Sequence, residues 1–427
     1  MMAVTVAVQD LRVGMFIHLD LGWMAHPFPL SSFKLSSAEQ IETIQGLGLK
    51  SLRWCPERSE ADPQTGEDAA QASSTPMPGL PQPASADTPQ AAQAQRSCES
   101  QEAALRLCER QYGEACRDLR RLTERVGPEP EQARDSAIAL TRALLDKMLV
   151  DGELCVRVLA EPVGDRASSH AMNVTIVSLL LARAMGMVEA ELSELGTGAL
   201  LHDIGKLMLP DRVRLPRDDY SAAEQALYRD HVAQGVGQGR RMGLSSGALL
   251  VLAQHHEMAD GSGFPMGVRL GAMAGGARIV AMVNLYDNLC NAALPSRSLT
   301  PHEALSRMFA HSRNKFDAAI LGAFIRLMGI YPPGSLVQLS DDRFGMVISV
   351  NAARPLKPRV QVYDPGQLPA RALHLNLEDL PGLGIRRSVK AEQLPAGASE
   401  ALAPRMRVAY FFDVEPVQAA ADVAEAT

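Results

Sequence analysis

The chain has 427 residues, of which 46% are hydrophobic, 21% charged and 4% aromatic, and its formal net charge is -7. This length favours two or three units of a soluble globular protein in which aliphatic helix packing dominates. The acidic balance and the lack of a basic block argue against DNA or RNA polymers as partners. The six cysteines form no CxxC pair, which argues against a zinc knuckle and fits a reducing cytoplasm.

The first part of the chain predicts a small module followed by a linker. Residues 1–60 mix short apolar runs and turn signals with a segment of helical spacing over Ser36–Leu49, a pattern typical of a small α+β module. The N-terminus lacks the basic region and continuous apolar core of a signal peptide. Residues 61–97 are rich in Ala, Pro, Gln, Ser and Thr, which predicts a disordered linker.

The remainder predicts a mainly α protein. A helical connector is expected over residues 98–150, as two helices, and a helical domain over residues 151–331, where helical patterns alternate with Gly or Pro breaks. Its most apolar stretch is too short for a membrane span, so a cytoplasmic location is expected. Alternating apolar runs predict a small β-rich module over residues 332–416, with a flexible tail over residues 417–427.

Five of the ten histidines lie in the central part of the predicted helical domain, between residues 170 and 256, each close to another polar or small residue: His170, His202, His231, His255 and His256. Imidazoles from several helices can converge inside a bundle and hold a first-row metal. His202 and Asp203 follow two leucines at the end of a predicted helix. Adjacent side chains on a helix point about 100° apart, so a metal that lies between these two side chains could bind both. A hydrogen bond that ends the helix is the alternative.

A second motif places two consecutive imidazoles before a Gly-rich loop, in the run HHEMADGSGFP at 255–265. Adjacent buried histidines need partners for their nitrogens, and a metal together with the carboxylates of Glu257 or Asp260 would supply them. A role in shaping the loop explains these two carboxylates equally well.

Together these motifs resemble the HD-GYP family, a branch of the HD metal-dependent phosphohydrolases whose members hydrolyse the bacterial second messenger cyclic di-GMP. The resemblance spans about residues 168–328, and its motifs are His170-Ala-Met-Asn173-Val174, HDIGK at 202–206, Tyr228-Arg-Asp-His231, HHExxDGSG at 255–263, Arg278-Ile279 and Phe316-Asp317. Phe264 stands where the family signature has tyrosine. The residues Leu11–Met15, Trp23 and His26–Phe28 resemble the small module that often precedes HD-GYP domains.

The resemblance implies an all-helical HD-type bundle that holds two divalent transition metals, iron or manganese. The implied ligands are the five histidines and a bridging Asp203, with Asn284 and Asp287 as further candidates; Asn284 stands where the family has its last aspartate ligand. Asp203 and Lys206 are the implied catalytic residues. The candidate contacts of the substrate are Lys206, Gly261, Gly263 and Arg297.

Two positions depart from the family pattern. Ala293–Ser296 lacks the basic residues with which the family grips substrate phosphates, and Arg166 stands where three-metal members place a glutamate. We expect a phosphodiesterase that converts cyclic di-GMP to the linear dinucleotide or GMP. Two alternatives are a degenerate HD-GYP module that acts by binding nucleotides or signalling proteins, and an HD phosphohydrolase with another nucleotide substrate. A homodimer is compatible with each.

Overall fold

The computed structural model describes residues 4–19, 32–35, 37–56, 59, 89–149, 153–159, 164–217, 219–364, 373–402 and 407–415. The chain forms two compact units, Met1–Ala103 and Ala104–Thr427. Among the described helices, none has the length and apolar character needed to cross a membrane.

The first unit contains an antiparallel sheet in the order β1-β4-β2-β3, with the strands β1 (Val4–Ala7), β2 (Phe16–His18), β3 (Ser32–Lys34) and β4 (Ser51–Trp54). Helix α1 (Ala38–Gly46) begins after Ser37, whose Oγ accepts a hydrogen bond from the Gln40 amide. The core contains Ile17, Leu35 and Ile44. These elements are those of an α+β module, whereas Trp23 and His26–Phe28 lie outside the described residues.

Two long helices follow, α2 (Pro89–Arg125) and α3 (Pro130–Met148). Each begins with proline, whose missing N–H costs nothing in the first turn. Helix α2 starts inside the segment 61–97 that we predicted as a disordered linker, so this prediction is wrong for residues 89–97; residues 61–88 lie outside the described part. The segment lacks large apolar side chains, but its Ala and Gln residues favour a helix once a nucleus exists.

A helical bundle forms the centre of the second unit. Helix α4 is buried along most of its length and packs against α5 and α9, while α5 also packs against α3 and α8. The helices of the bundle are α4 (Arg166–Ala184), α5 (Glu189–Leu201), α6 (Ala222–Arg229), α7 (His231–Met242), α8 (Ser246–Gln254), α9 (Gly275–Cys290), α10 (Pro301–His311) and α11 (Ala318–Met328). The prediction of a mainly α fold is confirmed.

Polar side chains set where several of these helices begin. Asp165 caps α4 by accepting a hydrogen bond from the Ser168 amide, and Ser245 caps α8 in the same way. Helix α7 ends at Gly243, whose φ of 73° is the left-handed conformation that glycine adopts without strain.

The second unit also contains a seven-stranded antiparallel sheet. Its strands are β5 (Glu153–Val158), β6 (Leu336–Leu339), β7 (Phe344–Asn351), β8 (Arg359–Val362), β9 (Leu373–Asn376), β10 (Ile385–Ser388) and β11 (Tyr410–Glu415), and the short helix α12 (Ala396–Leu402) precedes the last strand. The predicted β-rich C-terminal region is therefore present.

Strand β5 differs from the predicted organisation. It lies between β7 and β11, although its residues fall in the segment 151–331 that we predicted to be helical throughout. Arg157 on β5 and Asp413 on β11 form a buried ion pair at 2.6 Å, which links two strands through residues that are 256 positions apart in the chain. Pairing between segments so distant in sequence leaves no signal in the local hydrophobic pattern.

Candidate metal centre

Four elements bring the predicted ligands together. His170 lies on α4, His202 directly follows α5, His231 is the first residue of α7, and His255 directly follows α8. The structure arranges the polar groups in two sets that share Asp203: one contains His170 and His202, and the other contains His231, His255 and His256. Within each set the potential ligand atoms lie within 4.8 Å of one another.

Three of the imidazoles have their tautomer set by the backbone. The Nδ1 atoms of His202, His231 and His255 lie 2.7, 2.5 and 2.8 Å from the carbonyl oxygen three residues earlier in the chain. A carbonyl only accepts hydrogen bonds, so each Nδ1 carries the proton and each Nε2 keeps a lone pair. This arrangement prepares an Nε2 atom to bind a metal.

The lone pairs of these nitrogens face one another. The Nε2 atoms of His231 and His255 are 3.3 Å apart, and those of His202 and His170 are 3.2 Å apart. Two nitrogens without protons cannot share a hydrogen bond, whereas two nitrogen ligands about 2.1 Å from one metal lie about 3.0–3.4 Å apart. The donor atoms therefore fit divalent metal ions.

Asp203 lies between the two sets. Its Oδ2 is 3.6 Å from His170 Nε2 and 3.4 Å from His202 Nε2, and its Oδ1 is 3.5 Å from His231 Nε2 and 3.7 Å from His255 Nε2. Asp203 Oδ1 and His256 Nε2 are also buried without a hydrogen-bond partner among the described residues. A carboxylate with one oxygen toward each set can bridge two metals, and a metal would satisfy both orphaned atoms.

Burial and neighbouring charges set the protonation of these groups. Burial lowers the pKa of His231 to about 4, and it lowers the pKa of His255 and His256 well below the usual range, so all three are neutral near pH 7. Burial opposes the charge of Asp203, but the ammonium of Lys206 holds its pKa well below the usual range. Neutral imidazoles and an ionised carboxylate are the forms that bind metals.

Lys206 lies beside the bridging carboxylate. Its Nζ donates a hydrogen bond of 2.6 Å to Asp203 Oδ2 and lies 5.4 Å from the centre of the Tyr228 ring. Burial disfavours the ammonium, yet the charge of Asp203 outweighs it and raises the pKa of Lys206. His170, Asp203 and Lys206 share the lining of a cavity of about 550 Å³.

Asp287, predicted as a candidate ligand, instead accepts hydrogen bonds from neighbouring side chains. Its Oδ2 accepts a 2.6 Å hydrogen bond from His170 Nδ1, and its Oδ1 accepts hydrogen bonds from the side-chain amides of Asn173 and Asn291 at 2.8 and 2.9 Å. Both oxygens are engaged, so Asp287 orients His170 and leaves its Nε2 free for a metal. We did not predict this role, although Asn173 belongs to the motif that begins at His170.

Asn284 is buried on α9 and its amide is engaged by neighbours. Its Oδ1 accepts a hydrogen bond of 2.8 Å from Asn288 Nδ2, and its Nδ2 donates to the carbonyl oxygen of His255 at 3.5 Å. With its oxygen occupied by Asn288, Asn284 is a weaker candidate ligand than the aspartate that the family has at this position.

Asp287→Asn tests the orienting role of this carboxylate. We expect its affinity for divalent metal to fall about 10–100-fold, because the substitution removes the charge that orients His170. Metal titration followed by elemental analysis measures this affinity. Asp211→Asn is the matched control, since Asp211 lines the same cavity but pairs with Arg214 at 2.8 Å. An unchanged affinity in Asp287→Asn would contradict the role.

The Gly-rich loop after His256 has structural reasons for its residues. Gly261 has φ of 81°, and a Cβ atom at Gly263 would lie 2.5 Å from the Cα of Glu257. Glu257 accepts hydrogen bonds from the amides of Met266 and Val268 at 2.7 and 3.0 Å, so it shapes the loop. Both glycines were predicted as substrate contacts, and the conformation of the loop explains them without a ligand.

Phe264 contacts one of the candidate ligands, whereas Arg297 lies in a neighbouring cavity. Phe264, at the position of the signature tyrosine, stacks on His256 with 4.4 Å between ring centres and 22° between planes. Arg297, predicted as a candidate substrate contact, lines a neighbouring cavity of about 1050 Å³, whose described lining contains none of the six candidate ligands. The structure therefore does not bring Arg297 into the cavity of the metal centre.

Comparison with known proteins finds two domain models that match parts of the chain. The family model described as "HD domain" matches residues 155–320, and the model of a domain of unknown function, DUF3391, matches residues 3–137. The chain is 29% identical over 370 residues to the cyclic di-GMP phosphodiesterase PA4108 of Pseudomonas aeruginosa, a match that covers 84% of each chain.

Other similarities are confined to parts of the chain. It is 32% identical over 163 residues to the cyclic di-GMP phosphodiesterase response regulator RpfG of Xanthomonas campestris pv. campestris, covering 37% of this chain and 43% of that protein. The solved structure of Bd1817, an HDG"Y"P protein from Bdellovibrio bacteriovorus, aligns with a TM-score of 0.39 and 16% identity over 75% of this chain and 97% of that one. The HD domain implies that divalent metal is bound. The chain therefore carries an HD domain, with a DUF3391 module ahead of it.

Proposed function

We propose that this chain is a metal-dependent phosphodiesterase that hydrolyses cyclic di-GMP to the linear dinucleotide or GMP in bacterial second-messenger signalling. The observation that carries the proposal is the pair of imidazole sets joined by Asp203 beside a cavity of about 550 Å³. The names of the relatives PA4108 and RpfG support cyclic di-GMP as the substrate. Because the described cysteines are free thiols, which is typical of a reducing compartment, we place the activity in the cytoplasm.

The proposed centre holds two divalent transition metals, iron or manganese. His170 and His202 would hold one ion, and His231, His255 and His256 the other, with Asp203 shared. Nitrogen-rich ligand sets with one carboxylate suit first-row transition metals rather than magnesium or calcium. When bound, such ions supply Lewis acidity and lower the pKa of water.

Lys206 would act on the substrate rather than on the metals. Its ammonium is charged and lines the cavity beside Asp203. A phosphate that enters the cavity brings negative charge into a partly dry site, where a fixed cation stabilises it more strongly than water does. Lys206 would neutralise this charge and can give a proton to the leaving oxygen.

Turnover of cyclic di-GMP by the purified chain tests the proposal. We expect chromatography to show the linear dinucleotide or GMP appearing in step with bound iron or manganese, and chelation to abolish it, since the metals supply the Lewis acid. A protein that holds these metals and leaves cyclic di-GMP intact would sink the proposal. A 3'3'-cGAMP substrate belongs in the same assay, because a 3'3'-cGAMP-specific phosphodiesterase of Vibrio cholerae shares 31% identity over 124 residues.

A degenerate signalling module is the second candidate function. The observations that favour it are the occupied amide of Asn284 and the absence of Lys and Arg from Ala293–Ser296. Asn284→Asp separates the two candidates. Gain of turnover in this variant, from a wild-type protein that binds metal but is inactive, would identify the degenerate module.

A further inference from the structure

Two arginines stand out among the cations that line the cavity of the metal centre. Lys206 pairs with Asp203, Arg214 with Asp211, and Arg120 with Glu124. Arg166 and Arg407 line the same cavity, and among the described residues neither forms an ion pair with a carboxylate. Their positive charges are therefore available to bind an anion that enters the cavity.

The first of these arginines is held close to the metal centre. Arg166 lies one helical turn before His170 on α4, so the two side chains leave the helix on the same side. Its guanidinium donates to the carbonyl oxygens of Asn291 and Ala293, the latter at 3.3 Å. These bonds fix the orientation of its planar group and leave its charge without a neutralising partner.

The second arginine is positioned by its neighbour in the chain. The Val408 amide donates to Asn291 Oδ1 at 2.8 Å, and the Val408 carbonyl oxygen accepts from Asn291 Nδ2 at 2.9 Å. Asn291 therefore anchors both arginines, one through its backbone and the other through its side chain. No hydrogen bond of the Arg407 guanidinium exists within the described residues.

The two positive charges affect each other. Burial lowers the pKa of Arg166, and the charge of Arg407 lowers it further. Asp287 also lines this cavity and its charge acts on Arg166, but its oxygens already accept three hydrogen bonds from other side chains. Two like charges beside one cavity repel each other, and an anion between them removes that repulsion.

We propose that Arg166 and Arg407 form a phosphate-binding site that holds the substrate of the metal centre. The planar guanidinium presents paired donors that match phosphate oxygens, which suits it for a phosphodiester. This site would supply the contacts with substrate phosphate that the segment Ala293–Ser296 cannot make, because that segment has no Lys or Arg. This inference rests on the proposed function for the identity of the substrate.

Arg407→Gln tests the site with the metal ligands intact. We expect the KM for cyclic di-GMP to rise roughly 10–100-fold, because one charge-assisted hydrogen bond to the substrate is lost. The kcat should change by less than about threefold, because the metal ligands are intact. The KM should also depend less on salt concentration, because the variant has one fewer attraction between a cation and the substrate phosphate for salt to screen. Arg120→Gln is the matched control, because Arg120 lines the same cavity but pairs with Glu124. Equal KM values in the two variants overturn the inference.

A second measurement separates this inference from the proposed function. Inorganic phosphate should raise the midpoint of thermal unfolding of the wild-type chain and of Arg120→Gln, and should raise it less in Arg407→Gln. Without phosphate, Arg407→Gln should unfold at or above the wild-type temperature, because it relieves repulsion; a merely structural arginine would lower it. If no protein turns over cyclic di-GMP, the proposed function fails, and an equal phosphate response in both variants still overturns the site.

Discussion

Asp203→Asn is expected to abolish metal binding and to lower kcat/KM for cyclic di-GMP by roughly a thousandfold or more. Asp203 is the only carboxylate that the two imidazole sets share among the described residues. Bound metal contributes several kcal/mol of transition-state stabilisation, and each 1.36 kcal/mol is a tenfold change in rate. An amide also leaves the ammonium of Lys206 without its charged partner at 2.6 Å.

Elemental analysis and a turnover assay measure the two losses in the same sample. Asp230→Asn is a suitable control, because this exposed carboxylate precedes His231 in the chain and accepts a hydrogen bond from Gln234 at 2.9 Å. The control should keep both metal and activity. If Asp203→Asn retained two metals, the carboxylate would not be the bridge.

Gly205→Ala is expected to have the largest effect on stability. A Cβ atom at this position would overlap the carbonyl oxygen of His231 and the amide nitrogen of Gly235, well inside the 3.0 Å that real Cβ contacts respect. Both atoms belong to the backbone of α7, so the helix has to move as a whole. Overpacking of this kind costs about 1–3 kcal/mol or more, and here it also shifts His231 away from Asp203.

Thermal unfolding and metal content measure this effect together. Gly237→Ala is the matched control on the same helix, since nothing lies within 4 Å of an added Cβ there. This control should be neutral or slightly stabilising, because alanine favours a helix by up to about 1 kcal/mol over glycine. A wild-type unfolding midpoint and metal content in Gly205→Ala would show that the close approach of the two backbones is unimportant.

The fold was predictable where one segment carries its own signal. Helix α3 has apolar residues at helical spacing, and it lies within residues 98–150, where two helices were predicted. The early start of α2 was missed because its first residues lack large apolar side chains, which made the segment look disordered. Its Ala and Gln residues nevertheless have a high intrinsic helix propensity. Strand β5 was missed because its partners are distant in the chain: Val156 pairs with Val350 on β7 and with Phe412 on β11.

The candidate site was likewise predictable from the sequence only in part. The residue types of the site, five histidines with Asp203 and Lys206, could be read from the sequence, because their spacing resembles a family motif. What each of them contacts could not be read there: Asp287 orients His170, and Arg297 lies in a different cavity from Lys206. Folding also brings Arg166 and Arg407 to one cavity, although 241 positions separate them in the numbering. The physical reason is that ligand chemistry belongs to single side chains and short motifs, whereas hydrogen bonds and unpaired charges depend on distances that exist only after distant segments have packed.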